Sequence, residues 1–231
     1  MTSDDERRVL LADCAWPDVQ AVAAERLLAV PVGSTEQHGP HLPLSTDTDL
    51  AVAIAERLAA RRDDVLVTPA VSYGASGEHA RFAGTLSIGT PALALVLVEL
   101  VRSADAFRGV VLVNGHGGNA EAVDAAEITL NGEGRDVVAW SPRYDGDAHA
   151  GRSETSMLLA LCPDRVRLER AEAGDTRPIR ELLPDLRAGG VAAVSANGVL
   201  GDPAGATADD GAALLDRLTA DLLATVEARW P

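Results

Sequence analysis

Carboxylates and imidazoles gather in three short motifs of this chain. The first is Ser34-Thr35-Glu36-Gln37-His38-Gly39-Pro40-His41-Leu42-Pro43-Leu44-Ser45-Thr46-Asp47-Thr48-Asp49, directly after an apolar run. Glu36 and His38 stand two residues apart, so on extended backbone their side chains face the same way. Gly39 and Pro40 turn the chain, and Asp47 arrives before the next helix with two oxygens that can bridge two cations. The second motif, Asn114-Gly115-His116-Gly117-Gly118-Asn119, sets His116 between glycines that let backbone pass close to a site. The third, His149-Ala150-Gly151-Arg152-Ser153-Glu154-Thr155, opens a helix with Glu154 in its first turn. Five oxygen and nitrogen ligands suit Zn, Mn or Fe(II) better than a thiolate-selected metal. Two such ions about 4 Å apart can activate a water and polarise a carbonyl.

Each residue alone admits a plainer role. Glu36 can cap a turn, Asp47 or (better) Asp49 can cap the following helix, and His41 can shape its loop. His116 can be a loop hydrogen bonder, and His79 can contact substrate or lie on the surface. Neither glycine-rich loop has the spacing of a phosphate-binding loop. The metal reading rests on the conjunction.

The elements that must position these residues alternate between two kinds. Apolar runs at Leu27–Val32, Val65–Val71, Gly109–Val113 and Asp136–Trp140 read as strands. Amphipathic runs at Asp49–Arg62, Pro91–Phe107, Ala120–Asn131, Ser153–Leu161 and Asp209–Trp230 read as helices, with Pro163 stopping the fourth. Strands without polar alternation are buried on both faces. The expected fold is therefore α/β, three-layered, with a mostly parallel sheet and helices on both faces, in one domain over residues 1–231. In such sheets the site lies beyond the carboxyl ends of the strands, where all three motifs fall. The region Asp164–Gly211, with Pro178, Pro184, Pro203 and many glycines, reads as loop with a small added hairpin.

The chain has 231 residues, a hydrophobic content of 47% and only 3% aromatics, so its core must be Ala, Val and Leu. A formal charge of −15 argues against nucleic acid or an anionic membrane as partner. Cys14 and Cys162 make neither a CxxC nor a disulfide framework, which fits a reduced compartment. With no apolar stretch of membrane-spanning length and no long apolar run behind Met1–Arg8, the chain reads as cytoplasmic.

EQHGPHLPLSTD, NGHGGN and HAGRSETS resemble, in that order, the signature of the creatininase (creatinine amidohydrolase) family of metal-dependent amide hydrolases, over roughly residues 28–211. The resemblance implies that family's α/β fold and a dinuclear site with ligands Glu36, His38, Asp47 and His116, Asp47 bridging. Creatininase carries a ligand glutamate two residues after the second-loop histidine, where this chain has Gly118; Glu154 is its substitute. His149 matches a catalytic histidine that stabilises the intermediate or donates a proton. The implied cofactor is two divalent ions, Fe(II) or Zn, with Mn also acceptable.

Tyr73–Thr85, Gly189–Ser195 and Gly198–Pro203 resemble the mycofactocin branch of the family. That branch implies a modified precursor peptide as substrate, cut near its C-terminus to release a lactam made from a terminal Val-Tyr pair. Glu78, His79 and Arg81, inside the first stretch, are then expected to line the peptide entrance. No tryptophan-bearing lid like that of creatininase is evident, Trp140 being the only tryptophan near His149. The competing readings are a hydrolase of small cyclic amides or formamides, and a non-catalytic metal-binding protein. The resemblance also implies a homo-oligomer, with Ala/Leu-rich helices supplying an apolar interface.

Overall fold

The computed structural model describes residues 9–143 and 146–231; the charged Met1–Arg8 segment lies outside them. Four strands, β1 (Leu27–Val32), β2 (Val65–Val67), β3 (Gly109–Asn114) and β4 (Val137–Trp140), form one parallel sheet in the order β2-β1-β3-β4. The helices are α1 (Trp16–Val22), α2 (Thr46–Ala59), α3 (Thr90–Arg102), α4 (Ala120–Gly132), α5 (Arg152–Leu161), α6 (Ile179–Gly189) and α7 (Ala208–Arg229).

The strand side chains alternate between two cores because successive residues face opposite sides of a pleated sheet. Leu27, Ala29, Val111 and Val113 pack with Leu50, Ile54 and Leu58 of α2, Met157 and Leu158 of α5, and Leu215 and Leu222 of α7. Leu28, Val30, Val110 and Leu112 pack with Leu93 and Leu97 of α3 and Val123 and Leu130 of α4 on the other side. This is the expected three-layer arrangement. From β1 the sheet runs one way to β2 and the other way to β3, so a crevice opens between the carboxyl ends of β1 and β3.

Three elements differ from expectation by three residues or more at an end. The second strand ends at Val67 rather than Val71. Pro31, on the β1 edge that faces it, and Pro69 both lack the N–H needed to continue the ladder, and only an isolated Val32–Val71 bridge follows. Helix α2 starts at Thr46, three residues before the expected cap, because the Thr46 N–H and hydroxyl both bond the Pro43 carbonyl. Asp49 is therefore not the cap; it accepts from the Ser45 hydroxyl and pairs with Arg165. Helix α3 stops at Arg102, and residues 103–107 continue as separate turns.

The largest correction is in Asp164–Gly211, which holds no hairpin. It contains α6, with Pro184 inside it, followed by a 3-10 turn at Val191–Ala193. Ile179, Leu182, Leu183 and Leu186 carry helical spacing. Leu182 is fully buried against Val191 and Leu200 in a small separate cluster.

Candidate metal centre and catalytic cavity

All five histidines are buried, and four of them, His38, His79, His116 and His149, meet around Glu36 and Asp47 at the carboxyl ends of β1 and β3. Each is held by its own local device. Beyond β1, the Glu36 N–H bonds the Leu44 carbonyl, closing the loop that brings Asp47 back over Glu36. Asp47 is buried in the first turn of α2, where the positive end of the helix dipole favours its negative charge. Beyond β3, Asn114 accepts from the His116 N–H and donates to the His116 carbonyl, while Asn119 bonds Gly33 and Ala75 across the crevice. Ala150 has φ +53°, the only positive value at a non-glycine among the described residues. That strained turn aims its N–H at Glu154 Oε2, 2.6 Å away.

The side chains fall into two overlapping sets of close ligand atoms, Glu36–Asp47–His116 and His38–Asp47–Glu154. Asp47 belongs to both: Oδ1 lies 3.1 Å from His38 Nε2, and Oδ2 lies 3.3 Å from His116 Nδ1. His116 Nε2 is 3.1 Å from Glu36 Oε2, and His38 Nε2 is 3.9 Å from Glu154 Oε2. A third group, Glu36–His38–His149, adds His149 at the edge. Glu36 Oε1 and Asp47 Oδ2 are buried yet have no aligned hydrogen-bond donor. Two orphaned carboxylate oxygens facing imidazole nitrogens cost free energy unless a cation meets them, so the donor set fits divalent ions.

The electrostatics agree with that chemistry. Burial, and then the charge of Asp47, push the Glu36 carboxyl up to about 7. Burial works against a charged His38, but the neighbouring Asp47, Glu154 and Glu36 outweigh it and raise the imidazole to about 10. His116 is raised in the same way, against its own burial, to about 9 by Glu36 and Asp47. Asp47 is held well below the usual range by His38 and His116 despite burial, and burial raises Glu154. Burial, and then the charge of His38, push the His149 imidazole well below its usual value.

Above this floor lies a cavity of about 1300 Å³. Its walls come from the loop of residues 77–81, from the β3 loop and from α6, whose Ile179, Leu183 and Leu186 make one side apolar. Of the expected entrance residues, Arg81 stands exposed at the rim and Glu78 lines the wall. His79 is not at the entrance: it is buried, with Nε2 only 3.2 Å from Glu36 Oε1. A Cβ on Gly118 would stand 2.6 Å from Glu78 Oε1, and that oxygen is 3.7 Å from His116 Nε2. Glu78 thus brings a carboxylate from another segment into the place beside Gly118. Trp140 turns away from the cavity, its Nε1–H on Asp221. His41 is buried behind the site with Nε2 2.9 Å from the Thr155 hydroxyl.

Sequence reasoning missed three contributors, Ser34, Ser76 and Gln37. Ser34 donates to Glu36 Oε2 and touches the Ser76 hydroxyl, while Gln37 reaches both His79 and His149. Only their places inside the motifs pointed to them.

A family model described as creatininase, creatinine amidohydrolase, matches residues 12–226. The chain belongs to the creatininase family. With relatives described as amidohydrolase and peptidase, this chain is an amide-bond hydrolase. It is 52% identical over 215 residues to the mycofactocin precursor peptide peptidase of Mycobacterium tuberculosis, covering 88% of this chain and 85% of that one. The counterpart of the same description from Mycolicibacterium smegmatis is 55% identical over 193 residues, covering 80% and 78%. A solved mutant creatininase of Zn–Zn type superposes with a TM-score of 0.81 at 27% identity, over 97% of this chain and 100% of the other. Another solved form of that enzyme is described with Mn.

Proposed function

We propose that this creatininase-family hydrolase is a metal-dependent peptidase that cuts the modified mycofactocin precursor peptide near its C-terminus and releases the lactam made from the terminal Val-Tyr pair. The observation that carries the peptide reading is the cavity: about 1300 Å³, with an apolar wall from α6, is roomy for a small cyclic amide or formamide. The similarity to precursor peptide peptidases supports the same choice. On this reading the enzyme acts in the cytoplasm.

Glu36, Asp47 and His116 would hold one divalent ion and His38, Asp47 and Glu154 the other, with Asp47 shared. When bound, such ions supply Lewis acidity that polarises the amide carbonyl and makes a water acidic. Fe(II), Zn and Mn all accept these oxygen and nitrogen donors. Among the described residues, none of the ligand candidates is a thiol.

The chain's own groups then complete hydrolysis. Water adds to the scissile carbonyl carbon and loses a proton to His149 Nδ1. As the C–N bond breaks, His149 returns that proton to the leaving nitrogen, giving a carboxylic acid and a free amine. Glu154, fixed by the Ala150 N–H, holds its carboxylate toward the site. Glu78 and Arg81 bound the approach to it. The test is Glu36→Ala and His38→Ala: both should abolish cleavage and lower the metal content measured by elemental analysis. Full turnover without bound metal would remove the proposal.

A further inference from the structure

Gln37 sits between two of the candidate ligands, and the backbone groups around its amide each have one permitted role. Its Oε1 is 2.9 Å from the Gly39 N–H, which can only donate. Its Nε2 is 3.0 Å from the Gly198 carbonyl, which can only accept. The two ends of the amide are therefore fixed without ambiguity. The second Nε2 hydrogen meets His79 Nδ1 at 2.8 Å, and an amide nitrogen cannot accept, so His79 Nδ1 carries the lone pair and its Nε2 the proton. The backbone carbonyl of Gln37 lies 2.8 Å from His149 Nε2 and can only accept, so Nε2 carries a proton and the neutral ring has its lone pair on Nδ1. The 3.0 Å approach of Gln37 Nε2 to His149 Nε2 is then a contact between two donors. Both donor hydrogens of the amide are already used.

We propose that Gln37 is a positioning residue that makes two adjacent imidazoles offer the cavity opposite chemistry, an N–H from His79 Nε2 and a lone pair from His149 Nδ1. The rings are 4.5 Å apart, and both line the cavity. His79 Nε2 and His149 Nδ1 lie 3.2 and 3.8 Å from Glu36 Oε1. The inference rests on the amide-hydrolase reading for its purpose: the donor serves the carbonyl oxygen as it gains negative charge, and the acceptor takes the proton of the attacking water. It also explains why His79, although close to Glu36, is no ligand: its inward nitrogen holds a proton. Gly198 completes the device. Its φ is +81°, and a Cβ there would fall 1.9 Å from Gln37 Oε1, so that turn is built around the glutamine amide.

The test uses 15N-histidine-labelled, zinc-loaded enzyme and long-range 1H–15N spectra, with the cleavage assay beside it. Wild type should show His79 and His149 both protonated at Nε2 and not at Nδ1. In Gln37→Glu the new carboxylate accepts from His79, so His79 Nδ1 becomes protonated, while His149, tied to the backbone carbonyl, keeps its pattern. The kcat should fall roughly 10–100-fold, as for other groups that orient a metal site's neighbours, with KM little changed. A protonated His79 Nδ1 in wild type would overturn the inference without any variant. So would a Gln37→Glu enzyme with unaltered His79 or undiminished kcat. The spectra report on the imidazoles whatever amide proves to be the substrate, so a failed peptidase reading would show itself separately.

Discussion

Asp47 is where the two ligand sets join, and its surroundings state what the metal-free chain does instead. With no cation present, His38 and His116 take that place as imidazolium ions, raised to about 10 and about 9 from 6.5. Their folded values lie above the unfolded one, so the stability they contribute is complete below about pH 6.5 and is lost as pH rises through 9 to 10. The metal-free protein should therefore lose stability between pH 7 and 10 in denaturant titrations. Metal loading at pH 7 should release protons, because ligating imidazoles must be neutral. Calorimetry in buffers of different ionisation enthalpy measures that release, and loading with no proton exchange would contradict it. The ligand candidates were legible in the sequence because their types and spacing are themselves the signal. The Gln37 contacts and the strained Ala150 turn were not, since both depend on backbone folding back from residues more than a hundred positions away or on a φ value no residue type announces.

Among elements, α6 matters most for substrate and was the hardest to read. Pro184 in a helix interior removes a backbone hydrogen bond and costs about 3 kcal/mol, so its presence argued for loop. The buried anchor Leu182, packed on Val191 and Leu200, offsets that cost locally. Leu182→Ala should destabilise this wall by about 2–5 kcal/mol. Because α6 supplies no ligand candidate, the expected outcome is a raised KM for peptide with metal content unchanged; loss of metal, or an unchanged KM, would argue against α6 as a substrate wall. The strands and flanking helices were readable because each buries a continuous apolar run or stripe. Their ends were less so: the early stop of β2 needs Pro31 of a neighbouring strand, and the early start of α2 needs the Pro43 carbonyl.

At the scale of the molecule, the topology decides where chemistry can occur. A parallel sheet whose order reverses between β1 and β3 leaves one crevice, and the first two motifs extend directly from the strands that flank it, while the third follows β4. No helix among the described residues is long and apolar enough to cross a membrane. The adjacent helices α3 and α4 leave Leu95 and Ile128 61% and 73% exposed, with Val96 and Leu100 beside Leu95 on the same helix. Covering this face by a second copy is the expected basis of a homo-oligomer. Light scattering should give a multiple of 24.0 kDa that Leu95→Glu reduces; a wild-type mass of 24.0 kDa would remove the expectation.

The central claim is a metal-dependent cut of a peptide, and mass spectrometry of the protein mixed with the cyclised precursor tests it most directly, with chelator and with Fe(II) or Zn restored. The account predicts that the C-terminal Val-Tyr-derived lactam appears only when metal is present. No cut under any metal, with turnover of small cyclic amides or formamides in its place, would contradict it.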